Sequence, residues 1–153
     1  MNLTDKQKEV IENIGINYEA AGLQPAAARI LGLMYVADKP ELTFDEITDS
    51  LHISKSATSN AINLLLQTGQ IEYITFSGDR KRYFRLKISN WRDGFTQKIE
   101  GLTNFNKLLR QALEVRTKET PEYNACLVQL INFLDFIKQE LPGLLQKWEK
   151  TKT

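Results

Sequence analysis

The chain has one cysteine, one histidine and four prolines in 153 residues, and each scarcity removes a class of protein. A single thiol, Cys126, cannot close an internal disulfide and fits a reducing compartment, where a buried inert thiol is the ordinary reading. His52 stands beside no cysteine, so a metal site has little to start from. No apolar stretch approaches the roughly 20 residues needed to span a bilayer. No positive segment leads into an apolar run at the start, so a leader is not expected and the cytoplasm is the expected location. Neither a glycine-rich phosphate loop, nor a paired-carboxylate signature, nor a nucleophile elbow is present. An enzyme is therefore not expected, and neither a cofactor nor a metal is implied.

What the chain does have is concentrated between Leu42 and Leu86. Thr43 and Glu46 form a capping-box pattern that opens a short helix. Phe44, Ile47 and Leu51 follow on one face, leaving Asp45, Thr48 and Asp49 for water. His52 and Ile53 make a tight connection, Ser54 supplies a second N-cap oxygen, and Ala57, Ala61, Ile62, Leu64, Leu65 and Leu66 carry a second helix that Gly69 can close. Short hydroxyl and amide side chains crowd its first two turns: Ser54, Lys55, Ser56, Thr58, Ser59, Asn60 and Asn63. Ser, Thr and Asn are mediocre helix formers, so a helix that only docks on a core has little use for them there. Hydroxyls and a helix N-terminus suit phosphate oxygens, and asparagine suits the edge of adenine in a major groove. An ordinary solvated amphipathic helix is the bland alternative.

The residues that follow decide between the two. Ile71 to Phe76 and Arg80 to Leu86 read as strands around a Ser77-Gly78-Asp79 turn, a two-stranded hairpin. Residues 52–87 carry six Lys or Arg against Glu72 and Asp79, a formal +4 in a chain whose total is +1. A near-neutral protein has put its positive charge on one module, the footprint of local phosphate neutralisation. On that reading Lys55, Ser56, Thr58 and Ser59, with Ser54 beside them, serve phosphate and groove contacts, and Asn60 and Asn63 serve base edges. Lys81 and Arg82 add phosphate contacts from the hairpin, and Asp79 shapes its turn. A winged-helix module kept for protein contacts, without sequence-specific DNA binding, is the alternative; the basic patch weighs against it.

Three runs, AAARILGLMYV, LTFDEITDSLHISKSATSNAINLLLQTGQIEYI and SGDRKRYFRL, resemble the winged helix-turn-helix regulators of the MarR class, and most closely their GbsR-like branch. The likeness covers Pro25 to Leu86. It implies a homodimeric regulator that binds pseudo-palindromic operators in double-stranded DNA, with Arg80 matching the arginine at the tip of the family's wing. It also implies small-molecule effectors, some of them choline-like cations. Aromatic cages suit such ligands, and Tyr18, Tyr35, Trp91, Phe105, Tyr123 and Trp148 are the available aromatics, with core packing as their default role.

The flanks read as helices, making the fold mainly α with a small β-hairpin. Asn2 to Gly22 has an apolar stripe that includes Val10 and Ile14, with Thr4 or Asp5 as cap. Pro25 to Ala37 is apolar nearly all round and reads as the buried central helix. Asn90 can cap a helix from Trp91 to about Lys118, where Gly101 is a weak point. In the last helix Tyr123, Leu127, Leu130, Leu134, Ile137, Leu141, Leu144 and Trp148 follow a 4-3 repeat, a seam that Pro142-Gly143 should kink or restart. A second row, with Cys126, Phe133, Phe136 and Leu145, makes that face too wide for one partner, so a second copy is expected to cover it. The organisation expected is a dimerisation helix at 1–24, a DNA-binding domain at 25–88 and a helical dimerisation region at 89–153.

Overall fold

A computed structural model describes residues 1–88 and 91–151. The expected cap at Asn90 lies outside the described residues. The chain forms two compact units, Met1–Ser89 and Asn90–Thr153.

In the first unit, α1 (Asp5–Ala20) starts at Thr4, whose side chain and that of Gln7 cap one another's backbone. The central helix α2 (Pro25–Val36) begins with proline at its first turn, where the missing amide costs nothing. Ala27, Ile30, Leu31 and Leu33 are buried along it, and the rest of the unit is built around them. Helix α1 lies directly on α2. A Cβ placed on Gly32 would come within 2.8 Å of the Ile11 carbonyl oxygen, so only glycine admits this approach. Arg29 ties the pair further by binding Glu12 and Glu19. Tyr18 and Tyr35 meet at their hydroxyls, 3.4 Å apart. Burial, with Tyr35's hydroxyl adding to it, pushes Tyr18 up to about 12. Val10 and Ile14 are half-buried in this unit.

Two further helices, α3 (Phe44–Leu51) and α4 (Lys55–Gln67), form the helix-turn-helix. His52 takes a left-handed conformation between them at φ 52°, which ends α3 abruptly enough for Ser54 to begin the next helix. Ile47, Ile62 and Leu65 join the core. Thr48, expected in water, is buried instead: its face turns toward α4, and its hydroxyl lies 2.8 Å from the Phe44 carbonyl of its own helix and 3.1 Å from Thr58 Oγ1 of α4.

The expected two-stranded hairpin belongs to a three-stranded antiparallel sheet, in the order β1 (Leu42–Thr43), β3 (Tyr83–Leu86), β2 (Ile71–Ile74). Residue pairs Leu42 with Phe84 and Ile71 with Leu86 set the register. The extra strand is the extended lead-in to the Thr43 cap, too short to show any alternation. Both hairpin strands are shorter than the sequence suggests, because residues 75–82 bow out as a loop around Gly78, which sits at φ 83°.

The second unit is a helical hairpin of α5 (Trp91–Val115) and α6 (Pro121–Lys150). Gly101 does not interrupt α5, which stops a turn earlier than expected at Val115. Asn124 and Arg116 brace the connection: Arg116 Nε donates to Asn124 Oδ1 at 2.8 Å, and Asn124 Nδ2 donates to the Thr117 carbonyl at 2.8 Å. Ile131, Thr103 and Asn106 are buried where the helices meet. Asn106 Nδ2 donates to the Ile131 carbonyl and to Asp135, at 2.9 and 2.7 Å, and Arg110 pairs with the same aspartate.

Helix α6 does not restart at Pro142-Gly143 but runs through it as one element of 30 residues. The 4-3 seam is divided: Leu127, Leu134, Ile137 and Leu141 are half-buried, whereas Tyr123, Leu130 and Leu144 are exposed together with Phe133 and Phe136. Cys126 is exposed too, because it sits on this outward side and not against α5.

Candidate nucleic-acid interface

The presentation of α4 follows from its cap. Ser54 is extended at φ −67°, ψ 151°, and its Oγ accepts from the Ala57 amide at 3.2 Å, which leaves the first turn's other groups facing outward. Ser54, Lys55, Ser56, Ser59, Asn60 and Asn63 are exposed, while Ile62 and Leu65 are buried and Ala57 half-buried. One assignment is corrected. Thr58 is fully buried, its Oγ1 accepting from Thr48 at 3.1 Å and donating to the Ser54 carbonyl at 3.1 Å, so it reaches no outside surface. At four residues past the cap the helix has turned its side chain under α3.

Arg80, Lys81 and Arg82 are exposed in the 75–82 loop. Arg85 contributes less to the positive surface than its charge suggests, because it binds Glu72 at 2.6 Å and lies 3.7 Å from Glu41. Asp79 acts on the loop itself: its carboxylate accepts from the Tyr83 hydroxyl at 2.7 Å and from the Lys81 amide at 2.9 Å. Those bonds, Tyr83's first, hold the Asp79 carboxyl below its usual range and raise the Tyr83 phenol. Phe76 packs edge-on against Tyr83 with ring centres 4.9 Å apart.

Helix and loop meet across a pocket of about 270 Å³ lined by Phe44, Ser59, Ile62, Asn63, Leu66, Tyr73, Arg82 and Phe84. The Arg82 guanidinium lies 5.8 Å from the ring centre of Phe44, the first residue of α3, so this arginine leans back over the helix-turn-helix and is not at the tip. Ser59, Asn63 and Arg82 thus border one concavity on one unit. Sequence reasoning missed exposed Tyr73 and Phe76 and half-buried Tyr83; aromatics in alternating strands are so often core that nothing singled these out.

Two models of one family match the chain in succession. Residues 21–82 match the MarR family, and residues 89–151 match MmpR5-like MarR family transcriptional regulators. The chain belongs to the MarR family. It is a winged-helix, DNA-binding transcriptional regulator. Among curated relatives, the HTH-type transcriptional regulator MmpR5 of Mycobacterium tuberculosis (strain ATCC 25618 / H37Rv) is 25% identical over 142 residues, covering 93% of this chain and 86% of that protein. The HTH-type transcriptional repressor OpcR of Bacillus subtilis (strain 168) is 25% identical over 138 residues, 84% of this chain and 74% of the relative. A transcriptional regulator of known crystal structure shares the fold at a TM-score of 0.73 and 24% identity, over 95% of this chain and 99% of that one.

In this MarR-family chain the remaining candidates of the sequence fall into separate groups. No cluster of three or more His, Cys, Asp or Glu suited to a metal occurs among the described residues. No helix among them is long and apolar enough to cross a membrane. The aromatics form separate groups within each unit. Tyr18 pairs with Tyr35 in the first. In the second, Trp91 sits edge-on to Trp148 at 5.1 Å, with Arg92 over Trp148 at 4.9 Å, while Arg116 covers Tyr123 at 4.2 Å. Phe105 is exposed midway along α5.

Proposed function

We propose that two copies of this chain bind a pseudo-palindromic operator as a symmetric dimer, each placing α4 in the major groove and its wing along the flanking backbone or minor groove. The observation that carries this reading is the shared concavity: Ser59 and Asn63 of α4 face Arg82 of the wing across one pocket, with exposed Ser54, Lys55, Ser56 and Asn60 continuing the α4 side. Asn60 and Asn63 read base edges, and Ser54, Lys55, Ser56, Ser59, Arg80, Lys81 and Arg82 hold phosphates. Support for the pair of chains comes from the apolar stripe Tyr123, Leu130, Phe133 and Leu144, an area too apolar to leave in water. The wing run SGDRKRYFRL favours the GbsR-like branch, and a cytoplasmic location suits this role.

A small-molecule effector belongs to the same reading, with its site between helices. A cationic one drawn to Trp148 or Tyr123 has to displace Arg92 or Arg116, which already occupy those ring faces.

The test is a titration against duplexes from upstream of the protein's own gene at several salt concentrations. Changing Arg80 and Arg82 together to Ala should weaken binding to every duplex and make the slope of log K on log salt shallower by about 1.8, two phosphates' worth. An unchanged slope removes the wing from the interface. A footprint with half-sites about 10 base pairs apart, or a multiple of that, is the signature of the dimer.

A further inference from the structure

The wing carries a carboxylate in the middle of its cations. Residues 79–82 read Asp, Arg, Lys, Arg, and a surface built for phosphates gains nothing from an anion among its arginines. Left to itself, Asp79 is the nearest counter-charge for a neighbouring guanidinium and competes with phosphate for it. The structure commits that carboxylate elsewhere. Oδ1 accepts from the Lys81 amide at 2.9 Å, and Oδ2 accepts from the Tyr83 hydroxyl at 2.7 Å. The Asp79 amide donates to the Phe76 carbonyl at 3.1 Å, and the Phe76 ring meets Tyr83 at an interplanar angle of 88°, so the loop closes on itself around the phenol. Among the described residues, no carboxylate lies within ion-pair distance of Arg80, Lys81 or Arg82.

We propose that Tyr83 is a positioning residue for DNA binding: its hydroxyl occupies the second oxygen of Asp79 and so keeps the wing guanidiniums available to phosphate. The proposal rests on the reading of the wing as a DNA contact. Without the hydroxyl, Oδ2 has lost its donor and turns to an arginine beside it, and DNA must then displace an internal ion pair. The aromatic ring is not what matters, since phenylalanine at 83 keeps the packing against Phe76.

The experiment titrates the full chain with duplex DNA by fluorescence anisotropy across a salt series, for the wild type, Tyr83→Phe, Asp79→Asn and the double variant. Tyr83→Phe should bind about two- to fivefold more weakly at low salt, the value of one exposed ion pair. Its salt slope should be shallower by up to about 0.9, since one cation is no longer free. In the Asp79→Asn background the same change should have no effect on affinity or slope, because asparagine offers no charge to pair. Melting curves check that all variants are folded. A Tyr83→Phe protein with wild-type affinity and slope overturns the proposal, and so does a loss that Asp79→Asn does not cancel, which is what mere loosening of the loop would give. A wild type that binds no duplex at all overturns the wing contact as well.

Discussion

The Thr48 hydroxyl donates to Thr58 Oγ1 at 3.1 Å, joining the two helices of the helix-turn-helix from inside, and Thr58 passes the chain on to the carbonyl of Ser54, the cap of α4. The angle at which α4 presents Ser59, Asn60 and Asn63 is therefore set partly by a polar contact buried beneath them. Replacing Thr58 with Val should cost about 0.5–1.5 kcal/mol of folding stability, the ordinary worth of a hydrogen bond whose partners find alternatives. The salt slope of DNA binding should stay at the wild-type value, while Lys55→Ala makes it shallower by about 0.9. A Thr58→Val slope as shallow as that of Lys55→Ala would put Thr58 back on the DNA.

The outward stripe of α6 gives a second prediction. Leu130 and Leu144 are exposed, so changing both to Glu leaves the α5–α6 hairpin intact but places two unpaired charges in any interface formed there. The dimer dissociation constant should rise by about a hundredfold or more, an energy of roughly 2.7 kcal/mol. Sedimentation that shows an unchanged dimer would move the interface elsewhere.

Gly32→Ala sets two effects against each other. Alanine in a helix gains up to about 1 kcal/mol over glycine, but its Cβ would stand 2.8 Å from a backbone oxygen of Ile11, which cannot swing aside as a side chain can. Overpacking of this kind costs about 1–3 kcal/mol, so the substitution should destabilise the protein on balance in chemical denaturation. A stabilised variant would mean that α1 shifts freely on α2.

Acid should loosen the start of α3. Burial raises Glu46, but the hydrogen bonds from Lys39 and from the amide and hydroxyl of Thr43 outweigh it, and the folded carboxyl lies below its ordinary value of 4.5. A depressed carboxyl contributes stability that is present above pH 4.5 and fades as pH falls through the lower folded value. Glu46→Gln should flatten the pH dependence of stability in that window, measured by urea unfolding at a series of pH values.

Much of this protein was legible before any coordinates. Caps at Thr43 and Ser54, the proline opening α2 and the glycine closing α4 are local chemistry, in which a side chain bonds to backbone a few residues away. The cluster of short polar groups on α4 and the cations after Asp79 were equally plain, since composition needs no fold to be read. Where reading failed, the deciding partner was distant in sequence or lay on the opposite face of a helix.

The sequence alone determined which segments are helical, where the hairpin turns, and that one module holds the charge, because period, capping and turn chemistry act within a few residues. Only the tertiary structure decided which face of each element is inside. It buried Thr48 and Thr58 against each other, paired Leu42 with Phe84, turned Cys126 outward and divided the α6 seam between α5 and open solvent. Burial is settled by what packs against a side chain, and that neighbour is chosen by the whole chain and not by the residues next door.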